Sequence, residues 1–153
     1  MGVYKKPKYA VIFIGIPASG KSTFYRERYS DYVHINLDTL HTRNKENILL
    51  DDCFRKGLSF VVDNTNPTVE DRAKYISTAK DKGYHIIGYY FRSSVFESLE
   101  RNNLREGKAK VSDVAVKSIH SKTVLPTFSE GFDELYYVSI QNGQFIITEW
   151  QEE

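Results

Sequence analysis

The sequence predicts an α/β fold in which helices flank a mainly parallel β-sheet, and three observations support this prediction. Four short apolar segments have the composition of strands, and each is followed by a segment with helical spacing. A glycine-rich turn, GIPASGKST at residues 15–23, separates the first strand from the first helix. Acidic residues follow the next two strands closely. Alternating strands and helices are typical of three-layer domains, in which the carboxyl ends of the strands meet at one edge.

The first half of the chain contains three of these strands and two helices. Each strand is a short run rich in β-branched or aromatic residues. The second helix shows apolar residues at helical spacing, and Gly57 follows it as a stop signal. The predicted strands are residues 9–14, 33–36 and 59–63, and the predicted helices are residues 22–28 and 45–56.

The second half begins with a helix from Pro67 and Thr68 to about residue 82, with Thr68 as its cap and Gly83 as its stop. The Asn-Gly pair at 142–143 predicts a hairpin turn between two apolar runs at the C-terminus. The other predicted elements are a strand at 84–91, a helix at 95–103, a polar basic loop at 104–112 and a helix at 113–124.

Length and composition predict one soluble domain spanning residues 1–153. The chain is 41% hydrophobic and 27% charged, and its single cysteine cannot form an internal disulfide. No apolar run resembles an export signal or a membrane span, so we expect a cytoplasmic protein. The net charge is only +1, but residues 101–122 carry six Lys or Arg against two acids. We therefore expect a basic lid over residues 101–112. The predicted C-terminal hairpin covers residues 133–150.

The glycine-rich turn matches the pattern G-x-x-x-x-G-K-[ST] in full. In that pattern, backbone amides face the phosphates of a nucleotide, the Lys reaches the outer phosphates and the Ser can ligate Mg²⁺. A plain glycine-rich turn is the alternative, but a strand before it and a helix after it are the context that the pattern requires. We therefore predict a P-loop NTPase fold. The predicted nucleotide-binding residues are Gly15, Ile16, Pro17, Ala18, Ser19, Gly20, Lys21, Ser22, Thr23, Arg101 and Arg105.

Two acids at strand ends are candidates for chemistry. Asp63 ends the strand FVVD, where an acid in a P-loop protein helps to hold Mg²⁺, and the metal-binding prediction is Ser22 with Asp63. Asp38 follows the second strand, where a carboxylate can take the proton of an acceptor hydroxyl. Caps of the following segments are the alternative role for both acids.

Arg101 and Arg105 lie four residues apart, on one face of a helix and beside the basic loop. Such arginines can close over phosphates and stabilise charge in the transition state, and a solvated helix surface is the alternative. His34, His85 and His120 lack metal-ligand spacing, and we predict structural roles for them. The chain has neither a D-x-x-G segment nor a complete N-K-x-D base reader, which favours an ATP-dependent kinase over a GTPase switch.

With these residues in order, the chain resembles the kinase domain of polynucleotide kinase-phosphatase, which phosphorylates 5′-hydroxyl ends of nucleic acids. The resemblance covers residues 9–132 and rests on GIPASGKSTF, YVHINLDTL, VVDNTNP, the R-N-N-x-x-R-E segment, VSD and FSEGF. It implies that Asp38 is the general base and that Lys21, Ser22, Asp63 and Arg105 contact phosphates or Mg²⁺. The predicted catalytic residues are Asp38, Lys21 and Arg105. The predicted acceptor contacts are Asp38, His41, Arg43, Asp63, Asn64, Arg72, Lys108 and Lys110.

This sequence also departs from the family's pattern. Leu37 stands where many relatives have Arg, and His41 stands where phage-type members have an Arg that contacts the acceptor. Lys110 replaces an apolar lid residue, and no D-x-D motif of a phosphatase occurs. The prediction is ATP- and Mg²⁺-dependent phosphorylation of a polynucleotide 5′-hydroxyl in nucleic-acid end processing or repair. The alternatives are a P-loop kinase for a nucleoside, sugar, other small metabolite or protein hydroxyl, and a nucleotide-dependent binding or switch module.

Overall fold

A computed structural model of the chain describes residues 6–92, 94–105 and 111–152. Its elements alternate along the chain as predicted, which places helices on both sides of the sheet. In chain order they are β1 (Tyr9–Ile14), α1 (Lys21–Arg28), β2 (Val33–Ile35), α2 (Leu37–Leu40), α3 (Arg43–Lys56), β3 (Phe60–Val62), α4 (Val69–Asp81), β4 (His85–Phe91), α5 (Val95–Asn103), α6 (Asp113–Lys122), β5 (Glu134–Gln141) and β6 (Gln144–Glu149).

The six strands form one sheet in the order β2-β3-β1-β4-β5-β6. All neighbouring pairs are parallel except β5 and β6, which form the C-terminal hairpin. This confirms the predicted α/β fold with a mainly parallel sheet. β5 therefore serves twice, as the fifth parallel strand and as the first strand of the hairpin. β6 lies at the edge of the sheet.

The central strand β1 is buried on both faces, as expected of a parallel strand between two helix layers. Ala10, Ile12 and Ile14 pack on one face with residues of α3 and α4. Val11 and Phe13 pack on the other face with Phe24 of α1. Each fully buried side chain of this size contributes about 1.5–3 kcal/mol, so β1 anchors the turn that follows it.

The helix ends are set largely by the capping residues visible in the sequence. Thr68 and Asp71 form a reciprocal capping box at the start of α4, and Gly57 ends α3 in the left-handed conformation. Thr42 caps α3 by accepting a hydrogen bond from the Lys45 amide, so α3 begins two residues earlier than predicted. The four-residue α2 was not predicted, because one helical turn has no measurable apolar periodicity.

Across the described residues, no helix combines the length and the apolar character that a membrane span requires.

Candidate active site

The carboxyl ends of β1, β2 and β3 meet at one edge of the sheet, where a cleft of about 440 Å³ opens. The cleft contains the glycine-rich turn, the α2 turn and the loop after β3. Its described lining brings together many of the residues that the sequence singled out, namely Pro17, Ala18, Lys21, Ser22, Asp38, Arg43, Asp63, Asn64 and Arg105. Val111, Ala115 and Ile119 add an apolar wall from α6 and the residues before it.

The glycine-rich turn is shaped to receive an anion. Gly20 precedes α1 with a φ of 100° and offers no capping side chain, so the first amides of α1 remain available to a phosphate. A Cβ on Gly20 would lie 3.0 Å from Ile140 Cδ1 and 3.1 Å from Phe145 Cε1. Only glycine suits this position, because a side chain would be strained by the positive φ and crowded by the hairpin.

Lys21 is folded back over the turn that carries it. Its Nζ donates hydrogen bonds to the carbonyl oxygens of Gly15 at 3.0 Å and Ile16 at 2.9 Å. Burial lowers the pKa of Lys21 to about 8; Asp63 and Asp38 oppose this shift and Arg105 adds to it. A bound polyphosphate would restore the charged form, because an anion near an ammonium group favours protonation.

Asp63 is 2% exposed and is held by two neighbours. Its Oδ2 accepts hydrogen bonds from Ser22 Oγ at 2.7 Å and from His34 Nε2 at 2.7 Å. Burial acts to raise the pKa of Asp63, but the bonds from His34 and Ser22 and the charge of Lys21 lower it on balance. Because an ionised carboxylate only accepts hydrogen bonds, His34 carries its proton on Nε2.

His34 therefore lies within the site, although its lack of metal-ligand spacing predicted a structural role. Its ring stacks on Tyr25 of α1 with a centroid distance of 3.9 Å and an interplanar angle of 11°. In the sheet, His34 pairs with Val61, two residues before Asp63. This proximity depends on β2 pairing with β3, which the sequence alone did not reveal.

The oxygen donors of Ser22 and Asp63 fit Mg²⁺. The described part of the chain contains no group of three or more His, Cys, Asp or Glu side chains that could hold a metal ion. Mg²⁺ is usually bound through one or two carboxylates together with substrate phosphates and water, rather than by a cage of protein ligands. A hydroxyl beside one ionised carboxylate, facing an anion-binding turn, matches that preference.

Asp38 is exposed on α2, and two asparagines hold the turn that carries it. Asn36 Nδ2 donates to the carbonyl of Asp63 at 2.8 Å, and Asn36 Oδ1 accepts from the Thr39 amide at 3.1 Å. Asn64 Oδ1 accepts from the Leu37 amide at 3.0 Å. Asp38 lines both the main cleft and an adjoining groove of about 540 Å³. It therefore lies where a group entering either opening would meet the phosphate-binding turn.

The predicted acceptor contacts do not all lie in the cleft. Arg43 and Asn64 line the cleft, whereas His41 is exposed at the end of α2 and is absent from the described linings. Lys108 and Lys110 lie outside the described residues. Of the predicted lid, Arg105 lines the cleft, and Arg101 Nε donates to the carbonyl of Ala18 at 2.7 Å.

Arg72 requires a correction, because it is 0% exposed and faces the scaffold. Its guanidinium donates to both carboxylate oxygens of Glu130, at 2.8 and 3.0 Å. It also donates to the carbonyl oxygens of Asn66, Pro67 and Val124. These bonds tie α4 to the segment after α6, so Arg72 supports the walls of the cleft and is not positioned to contact a substrate.

Asn102, at the end of α5, was also missed. Its side chain is buried and accepts from the Val111 amide at 2.8 Å while donating to the Val111 carbonyl. This two-point pairing brings the end of α5, with Arg101 and Arg105, close to the start of α6. The R-N-N-x-x-R spacing predicted a role for the two arginines but not this role for Asn102.

Comparison with known proteins identifies relatives of this chain. The profile of one protein family, described as an AAA domain, matches residues 11–126. A provisionally named bifunctional polynucleotide phosphatase/kinase of Acanthamoeba polyphaga mimivirus is 33% identical over 142 residues, which cover 88% of this chain and 34% of that protein. A bifunctional polynucleotide phosphatase/kinase of Schizosaccharomyces pombe is 33% identical over 129 residues, which cover 80% of this chain and 31% of that protein.

The chain thus spans about one third of the length of these curated relatives. Their names confirm the resemblance found in the sequence. Among solved structures, Kti12 of Chaetomium thermophilum in complex with ADP-AlF3 superposes with a TM-score of 0.68 at 16% identity, covering 85% of this chain and 88% of that one. At that identity the likeness shows a shared fold.

Proposed function

The chain belongs to the AAA domain family, and we propose that it is an ATP- and Mg²⁺-dependent kinase acting on the 5′-hydroxyl end of a polynucleotide. The observation that carries this proposal is the position of Asp38. Its carboxylate lies at the mouth of a cleft that also contains Lys21, Ser22 and Arg105. A proton acceptor beside a phosphate-binding turn is the arrangement that phosphoryl transfer to a hydroxyl requires.

The nucleotide side of the reaction uses the glycine-rich turn. The amides at the start of α1 and the ammonium of Lys21 bind and orient the outer phosphates of ATP. Arg105, which lines the cleft beside Lys21, stabilises charge on the phosphoryl group that moves. Ser22 and Asp63 would hold Mg²⁺, which when bound neutralises charge on the phosphate oxygens. Together these groups position and stabilise a transferring phosphoryl group.

The acceptor side of the reaction is assigned to Asp38. As the acceptor oxygen forms its bond to the γ-phosphorus, a carboxylate oxygen of Asp38 takes the hydroxyl proton, and the bond from phosphorus to ADP breaks. Arg43 and Asn64 line the same cleft and are proposed to contact the acceptor. Contacts from His41, Lys108 and Lys110 remain predictions from the sequence.

The relatives' names support a polynucleotide as the acceptor. Both curated proteins are named for polynucleotide kinase and phosphatase activities, and this chain matches about one third of each. The family profile matches residues 11–126, and this range includes the glycine-rich turn and Asp38, which are the groups that a kinase needs. We therefore assign the kinase step to this chain.

The test is transfer of labelled γ-phosphate from ATP, with Mg²⁺, to DNA and RNA oligonucleotides that carry a 5′-hydroxyl. We expect label on the oligonucleotide with the wild-type protein, none with Lys21→Ala, and none when the acceptor carries a 5′-phosphate. A panel of nucleosides and sugars is assayed in parallel. Label on one of those, with none on either oligonucleotide, would replace the proposed acceptor by a small molecule.

A further inference from the structure

A fully buried carboxylate lies beside the cleft and takes no part in the mechanism above. Glu46 is on the first turns of α3 and is 0% exposed. Its Oε1 accepts from Tyr75 OH at 2.8 Å and Arg43 Nη1 at 3.0 Å, with Lys74 Nζ at 3.5 Å. Its Oε2 accepts from Asn64 Nδ2 at 3.0 Å. Glu46 therefore joins α3, α4 and the loop after β3 at one point.

The bond to Asn64 links Glu46 to the α2 turn. The same Asn64 side chain donates to Glu46 through Nδ2 and accepts from the Leu37 amide through Oδ1 at 3.0 Å. Leu37 is the first residue of α2 and directly precedes Asp38. A continuous chain of two hydrogen bonds thus runs from a buried carboxylate to the backbone beside Asp38.

An ionised carboxylate can only accept hydrogen bonds, and this fixes the donor and the acceptor in both hydrogen bonds between Glu46 and the Leu37 amide. Burial acts to raise the pKa of Glu46, but hydrogen bonds from Tyr75, Arg43 and Asn64 lower it on balance. Because the ionised group only accepts hydrogen bonds, Asn64 must turn its NH₂ towards Glu46. Its oxygen is then left facing the Leu37 amide. A neutral amide at position 46 would not impose that choice.

Glu46 also holds Arg43 at the cleft. Arg43 Nη1 donates to Glu46 Oε1 and to Tyr75 OH, both at 3.0 Å, while about half of its side chain is exposed. An anchored guanidinium loses less side-chain entropy when it binds a phosphate than a mobile one does. One buried carboxylate therefore orients both the turn that carries Asp38 and a cation of the acceptor side.

We infer that Glu46 is a positioning residue, which fixes Asp38 through Asn64 and presents Arg43 to the phosphate next to the acceptor hydroxyl. This inference rests on the proposed kinase function. It adds a residue that touches neither ATP nor the acceptor and was absent from the predicted set. It also assigns to Asn64 an indirect role in transfer, through the backbone of α2.

The first variant is Glu46→Gln, which keeps the size of the side chain. With its oxygen towards Tyr75 and Arg43, its NH₂ would face the NH₂ of Asn64. If Asn64 turns over to relieve that conflict, its NH₂ faces the Leu37 amide instead. In either case one of the two hydrogen bonds between position 46 and the Leu37 amide is lost. We therefore expect kcat to fall by about 10- to 100-fold, the range that small misplacements of reacting groups produce. The Kd for ATP should stay within about 2-fold, because the glycine-rich turn is untouched.

A double-mutant cycle separates positioning from general stability. If Glu46 acts on Asp38 through Asn64, adding Glu46→Gln to Asn64→Ala should lower kcat at saturating acceptor by no more than about 2-fold beyond Asn64→Ala alone. Loss of the Arg43 anchor should instead raise the KM for the acceptor. Leu50→Val, one turn further along α3 and without polar links, is the matched control. It should lower the melting temperature with kcat unchanged at a temperature where the protein is folded.

Two results would overturn the inference. One is a Glu46→Gln protein with a lower melting temperature but the kcat of wild type, which would give Glu46 a purely structural role. The other is a double variant whose kcat falls by the product of the factors measured for Glu46→Gln and Asn64→Ala separately. Failure of the kinase proposal itself looks different, because the wild-type protein would then transfer no phosphate to the oligonucleotide.

Discussion

Folding places Lys21 where its charged form is disfavoured. Its ammonium is buried against carbonyl oxygens, and burial lowers its pKa from 10.5 to about 8. The folded, ligand-free protein therefore binds fewer protons than the unfolded chain between about pH 8 and 10.5. In that window the contribution of Lys21 to the free energy of unfolding becomes more favourable as the pH rises.

We predict that the free energy of unfolding of wild type, relative to that of Lys21→Met, rises with pH. Between pH 8 and 9.5, without nucleotide, wild type should gain roughly 2 kcal/mol relative to Lys21→Met, since one pKa unit corresponds to about 1.4 kcal/mol. Urea unfolding at the two pH values measures the difference, with tryptophan fluorescence as the signal. A difference that is constant with pH would show that the Lys21 pKa is not lowered by folding.

His34 contributes to the same site through Asp63. It donates to the oxygen that also accepts from Ser22, and its ring is fixed by stacking on Tyr25. Groups that orient a metal-binding carboxylate commonly change metal affinity or activity by about 10- to 100-fold when removed. His34 is thus expected to act on Mg²⁺ through the orientation of Asp63.

We predict that His34→Ala raises the Mg²⁺ concentration for half-maximal transfer by about 10-fold. His34→Gln, which keeps an N–H donor, should have a smaller effect. Calorimetric titration of ADP with and without Mg²⁺ provides a second readout, in which only the Mg²⁺-dependent part of binding should weaken. Equal weakening of metal-free ADP binding would instead point to a distorted glycine-rich turn.

The residues that line the cleft were predictable where a local motif marked them. The spacing of GIPASGKS identified Lys21 and Ser22, and the strand ends identified Asp38 and Asp63. Arg72 and Glu46 were misjudged or missed, because their roles depend on partners that the fold brings from distant segments. Glu130 lies 58 positions from Arg72, and Tyr75 lies 29 positions from Glu46. The burial of a polar side chain and its pairing with a distant residue leave no periodic signal in one sequence.

At the scale of elements, the C-terminal hairpin supports the glycine-rich turn. Phe145 of β6 packs edge-on against Phe24 of α1 with a centroid distance of 5.2 Å. It also lies against Gly20, where a Cβ would come within 3.1 Å of its ring. β6 therefore limits how far the start of α1 can move when phosphates bind.

We predict that Phe145→Ala weakens ATP binding by about 5-fold and lowers stability by roughly 2 kcal/mol, less than a core Phe→Ala change because the ring is only partly buried. Ile147→Ala is the control, since Ile147 packs in the same cluster but is not among the contacts of Gly20. It should lower stability with little change in ATP affinity. Equal effects of both variants on the Kd for ATP would contradict a specific role for Phe145.

The elements themselves were predicted well, because strands with β-branched runs and helices with clear caps have strong local signals. Within the described residues, all six strands and the five longer helices were predicted, with ends within a few residues. The order of the strands in the sheet was not predicted, and neither was the parallel pairing of β5 with β4. These depend on long-range pairing, as does the α2 turn, which is shaped by Asn36 and Asn64 rather than by apolar spacing.

At the scale of the whole molecule, a nearly neutral chain concentrates positive charge in one stretch of its sequence. The net charge is +1, yet residues 101–122 carry six Lys or Arg against two acids. Arg105 from this stretch and Arg43 from α3 line the cleft itself. A polyanionic acceptor would contact this region through several phosphates, whereas a small neutral acceptor would not.

We predict that kcat/KM for a 5′-hydroxyl ten-nucleotide acceptor falls steeply with salt. For single strands, a plot of log affinity against log salt concentration has a slope of about −0.7 per phosphate contact. Two to three contacts therefore give a slope of about −2. A nucleoside 3′-monophosphate is the matched acceptor and should show a slope nearer −0.7. Equal slopes for the two acceptors would argue against contacts beyond the first phosphate.

The most direct test of the proposed kinase function is Asp38→Asn, measured for transfer and for ATP binding in the same preparation. Asparagine keeps the shape of the side chain but cannot take the hydroxyl proton. We predict that transfer to a 5′-hydroxyl oligonucleotide falls by about 10³-fold, within the range for loss of a general base, while the Kd for ATP stays within about 2-fold. Transfer within about 10-fold of wild type would contradict the assignment of Asp38 as the base.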